Sequence, residues 1–94
     1  MISEKRNPVA TTVSETASIT MGVGAEGDRS ITFTTVPTNS QFLGLYSFWT
    51  TSPYFFLVAY SYNAGTSTLS FKVYNRSNAS VTADVTVGAV FANI

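Results

Sequence analysis

The chain reads as an all-β protein: an antiparallel β-sandwich or small barrel of six to seven strands with an N-terminal arm. Three observations predict this class. From Ser18 onward, apolar residues recur at every second position. Clusters of Gly, Pro, Asn and Ser punctuate the chain at near-regular short intervals, as in sandwiches and barrels. No stretch carries a helical period, and the gaps are too short for parallel crossovers, so the strands should pair antiparallel.

The elements follow in order. Residues 1–17 read as a polar arm, with one short strand expected at 9–13, and residues 18–94 as the β-domain. Ile19, Met21 and Val23 alternate with Ser18, Thr20 and Gly22. Residues 24–29 (GAEGDR) read as a turn. Ile31 and Phe33 start the next strand, and residues 37–40 (PTNS) break the chain. Residues 41–51 are apolar on both faces of a regular strand: Phe42, Tyr46 and Phe48 on one, Leu43, Leu45 and Trp49 on the other. Residues 54–62 repeat this double apolarity beyond Ser52-Pro53. Asn63-Ala64-Gly65 is a hairpin turn. Leu69, Phe71 and Val73 form a further strand, and residues 75–79 (NRSNA) a turn. In the last strand Val81, Ala83, Val85, Val87, Ala89 and Phe91 point one way; Thr82, Asp84 and Thr86 point the other.

Composition narrows the function. Ninety-four residues, 45% of them hydrophobic, suffice for one small core. Charged residues make up only 11%, against about 25% in ordinary domains. None lies between Arg29 and Lys72, a run of 42 positions. Net charge is zero, so neither nucleic acid nor an anionic membrane is an expected partner. Ser and Thr replace the charges, with 12 and 14 copies. A neutral surface protects poorly against self-association and suits a protein whose surface is to be covered. The apolar run 54–60 is far shorter than the roughly 20 residues that span a bilayer. The opening MISEKRNP lacks the apolar region of a signal peptide.

Catalytic machinery is not expected. The chain has no His and no Cys, which removes the commonest general base, thiolate nucleophiles and most zinc sites. Gly22, Gly24 and Gly27 match G-x-G-x-x-G, but a strand follows where a dinucleotide fingerprint needs a helix. Glu26 and Asp28 share a loop, with Asp28 expected to pair with Arg29; two acids are a thin Ca²⁺ site. Asp84 is expected to pair with Lys72 or Arg76 across a hairpin. No catalytic residue, metal or cofactor is therefore assigned. Asn75-Arg-Ser77 and Asn78-Ala-Ser80 match the glycosylation pattern but read as turns.

Nine of the 13 aromatic residues fall between Phe42 and Tyr62. They support two readings. As core plus subunit interface, the interface residues are Phe42, Tyr46, Phe48, Trp49, Phe55 and Leu57. As a sugar-stacking platform, the glycan residues are Trp49, Tyr54, Tyr60, Tyr62 and Asn63, with Gln41 beside them. Stacking on nucleic acid would need flanking basic residues, which are missing.

The segment 69–92, LSFKVYNRSNASVTADVTVGAVFA, resembles the closing strands of small β-domains in bacteriophage virions, including H-type-lectin-like tips and knobs of tail fibres. The shared features are F-x-V-x-N, an Asn/Ser turn, and a last strand alternating Val and Ala with Thr and Asp. Residues 31–37 (ITFTTVP) resemble the opening strand of the same domains. The H-type pattern carries a Trp in its last strand, where this chain has VGAVF at 87–91, so no sugar-binding residue is carried over. The chain opens on Met without a shaft and is similar to capsid decoration proteins and small tail components. The resemblance implies a non-enzymatic virion structural protein that decorates or cements a phage capsid or tail. It would assemble in the host cytoplasm as a homo-oligomer, a trimer above all, and hold other virion proteins through its arm. The alternative it implies is a receptor- or carbohydrate-binding module of a tail fibre.

Overall fold

A computed structural model describes residues 10–93. Among them lie six strands and no helix: β1 (Ala10–Met21), β2 (Glu26–Thr32), β3 (Ser40–Thr50), β4 (Phe55–Asn63), β5 (Thr68–Asn75) and β6 (Val81–Asn93). They form two antiparallel three-stranded sheets, ordered β1-β6-β3 and β2-β5-β4. The all-β class and the antiparallel pairing thus match the sequence reading, with six strands among the described residues. Of the five connections, only the β4–β5 hairpin stays within one sheet; the other four carry the chain across the sandwich.

The two middle strands hold the core. Leu69, Phe71 and Val73 of β5 face Val85, Val87, Ala89 and Phe91 of β6, all essentially buried. Ile19, Met21, Ile31, Phe33 and Phe55 complete the layer. This is the alternation read from the sequence, and it is cleanest where both neighbouring strands force one face inward.

Three local expectations change. First, β1 runs unbroken over Ala10–Met21 and pairs with β6 throughout that span, from Ala10↔Ala92 to Met21↔Val81. Of the expected arm, residues 10–17 thus belong to the sheet, while 1–9 lie outside the described residues. Glu15 hid the period, because it occupies an inward position. Its carboxylate accepts bonds from the Thr34 backbone N–H (3.3 Å) and hydroxyl (3.0 Å), which makes that position tolerable.

Second, the β1–β2 turn is tighter than residues 24–29. Gly24 takes a left-handed φ of 55°, and β2 begins at Glu26. Arg29 is therefore a strand residue. Its guanidinium donates to the carbonyls of Thr20 (2.6 Å) and Asp28 (2.7 Å), not to the Asp28 carboxylate. Glu26 pairs instead with Lys72 at 3.7 Å. Asp84 lies in the other sheet from Lys72, and it forms an ion pair with neither Lys72 nor Arg76, the two expected partners.

Third, β3 is not a regular strand. Two bulges, at 42/44 and 45/47, stretch its period from two to three. Phe42, Leu45 and Phe48 pack against the core; Leu43, Tyr46 and Trp49 face out. Leu45 and Tyr46 thus exchange the faces expected of them.

Candidate functional site: an outward apolar row on the β1–β6–β3 sheet

The bulges create the row. Leu43 and Tyr46 are the residues of β3 left without a register partner on β6. An extra residue in a bulge need not follow the alternation of the strand. Leu43, Tyr46 and Trp49 consequently stand 58%, 55% and 58% exposed, large apolar groups on the solvent side of the sheet. β4 repeats the device once: Val58 is unpaired at the 57/59 bulge and half exposed.

Gly88 seats the middle member of the row. It lies on the outer face of β6, yet it is buried. A Cβ there would come within 2.6 Å of Tyr46 Cε1 and Cζ. The phenol therefore lies directly on the glycine backbone, in the space a side chain would fill. Beside it, Trp49 is opposite Thr86, and the Thr86 hydroxyl bonds that of Thr16 at 2.7 Å. Thr20 and Thr82 repeat this pair at 2.7 Å. The outward positions of β1 are Ala, Thr and Ser only. Asp84 is the one charged side chain facing out from the described strands of this sheet. The face is thus nearly uncharged, hydroxylated and crossed at one edge by an apolar row of one Leu, one Tyr and one Trp.

The other predicted residues scatter. Of the six interface residues, Phe55 is core, 4% exposed, and Phe42, Phe48 and Leu57 pack against that core. Phe55 is thus spent inside the chain, Phe42, Phe48 and Leu57 are partly buried, and Tyr46 and Trp49 stand most exposed. The glycan residues do not form one platform. Trp49 lies on the outer face of β3, and Tyr54 is exposed in the β3–β4 turn. Tyr62 turns inward to stack on Phe42, ring centroids 4.6 Å apart. Tyr60 meets Phe42 edge-on at 6.2 Å, and its Oη accepts from Leu45 N–H at 3.4 Å. Asn63 is a turn residue whose Oδ1 accepts from Gly65 N–H at 2.9 Å. Leu43 and Gly88 were missed by the sequence reading. The available signal was a lone Gly inside the Val/Ala run of β6, since a strand glycine often marks a close approach.

Asn75 is also more than a turn residue. It is fully buried, and its Nδ2 donates to the carbonyls of Met21 (3.1 Å), Gly22 (2.8 Å) and Ala79 (3.0 Å). Its Oδ1 accepts from Ser77 N–H at 2.9 Å. A glycan cannot be attached to this amide in the folded chain. Among the described residues, no group of three or more His, Cys, Asp or Glu side chains gathers as a metal site.

No protein-family model, curated protein or solved structure matches this chain.

Proposed function

We propose that the protein is a non-enzymatic structural protein of a phage particle, an oligomeric β-domain that decorates or cements capsid or tail. The observation that carries the assembly part is the Leu43–Tyr46–Trp49 row on an almost uncharged sheet face. Large aromatic groups left this exposed are enriched where proteins meet. The occupant is a second copy of the chain. The described face carries hydroxyls, rings and the single charge of Asp84, so two copies meet with little like-charge repulsion, and interfaces are depleted of charge at their centres. The virion part rests on the resemblance of 69–92 and 31–37 to phage β-domains and on the charge-poor, Ser/Thr-rich composition.

The test is mass spectrometry of purified particles from the source of the sequence. The expected result is peptides of this chain at a fixed, high copy number per particle. Particles that form with full infectivity and contain none of it would overturn the reading.

A further inference from the structure

A second feature lies at one end of the sandwich, where the loop before β3, the β4–β5 turn and the last residues of β6 converge. They enclose an open cavity of about 650 Å³, within the range of small-ligand sites. Its floor is aromatic. Phe42 and Tyr62 stack there, and both set their rings against Phe91 at 5.6 and 5.5 Å. Its rim is polar: Asn39, Gln41 and Ser67 contribute two amides and a hydroxyl, and among the described residues no charged side chain lines the cavity.

The backbone supplies an independent observation. Among the described residues only two non-glycines take a left-handed φ, Asn39 at 56° and Ser67 at 54°. They come from different loops, and both line this cavity. Such conformations cost free energy and collect at ligand sites, where the surrounding structure fixes them. Here the fixing contacts are visible. The Ser67 carbonyl accepts from Phe33 N–H at 2.9 Å. Next to Asn39, the Ser40 hydroxyl donates to the Pro37 carbonyl at 2.6 Å.

We propose that this cavity binds a neutral saccharide ring, with Tyr62 and Phe42 under its apolar face and Asn39, Gln41 and Ser67 on its hydroxyls. Amides and hydroxyls both donate and accept, as sugar hydroxyls do. The aromatic floor suits the C–H face of a pyranose, and the described rim offers no cation to an anionic ligand. The site is separate from the Leu43–Tyr46–Trp49 row, so a chain that never self-associates would still carry it.

The experiment is an NMR titration of the ¹⁵N-labelled protein with the methyl glycosides of glucose, galactose and mannose and with N-acetylglucosamine. Each is taken to about 50 mM, well above a millimolar dissociation constant. At least one should shift amides of 36–42 and 62–67 in a saturating manner. Ser67→Gly and Asn39→Gly keep the left-handed backbone and remove the side chains, so they should retain or raise the melting temperature. Each should weaken binding roughly tenfold, the loss of about one hydrogen bond. The proposal fails if no sugar shifts these amides, if the shifts gather at Tyr46 and Trp49, or if both glycine variants bind like the parent.

Discussion

Gly88 faces outward on the middle strand of its sheet, and Tyr46 fills the place of its missing side chain. Gly88→Val should therefore lift the phenol off the sheet. Valine suits a strand, so the change in monomer stability should stay within about 1 kcal/mol. Self-association should weaken markedly, which sedimentation velocity would register. Asn75 presents the opposite case, a polar side chain bonded on every side. Asn75→Ala removes the three bonds to carbonyls and the acceptor for Ser77 N–H that tie the β1–β2 and β5–β6 connections together, and should cost about 2–4 kcal/mol in urea denaturation. The sequence marks Gly88 only as a lone strand glycine and does not mark the role of Asn75 at all. A glycine in a strand and an asparagine in a turn each have ordinary local explanations, and only the tertiary neighbour tells them apart. Glu15 misled more directly. One satisfied carboxylate at an inward position was enough to make half a strand look like an arm.

At the scale of elements, β5 and β6 were legible because strict alternation and burial agree along them. Phe91→Ala in β6 should cost about 3–5 kcal/mol. Trp49→Ala in β3 should cost the monomer far less, because that ring stands in solvent; parallel thermal melts at low protein concentration would compare the two. β3 itself was misread because two bulges change its period, and a bulge leaves no mark in apolar patterning when both faces are apolar. The extent of β1 bears on how an arm could be tested. Deleting residues 2–14 removes the paired stretch from Ala10 to Ser14 with buried Val13. It should lower the melting temperature, whereas deleting 2–9 leaves every described pair of β1 in place. Particle incorporation is therefore to be compared between the parent and the shorter deletion. A loss on removing 2–9 with an unchanged melting temperature supports anchoring by this segment, and normal incorporation contradicts it.

For the whole molecule, the class could be read from periodicity, but the assignment of strands to sheets could not. Turn residues mark where the chain reverses, not whether it returns to the same sheet or crosses to the other. The expected Asp84–Lys72 pair failed for that reason: β5 and β6 are consecutive strands in opposite sheets. The same crossing pattern explains how a chain with so many aromatics can spend most of them inside. Phe42, Phe48, Phe55 and Tyr62 close the core along the β3–β4 side, and what remains outside is concentrated on the bulged strands. On the proposed reading, this remainder meets another copy. The most direct measurement is the mass of the purified chain by light scattering after size exclusion, across a range of concentrations. The expected mass is a fixed multiple of the 10.1 kDa chain, with a trimer first in line, reduced to the monomer by Tyr46→Ser with Trp49→Ser while the fold persists. A monomer mass for the parent at every concentration would contradict it.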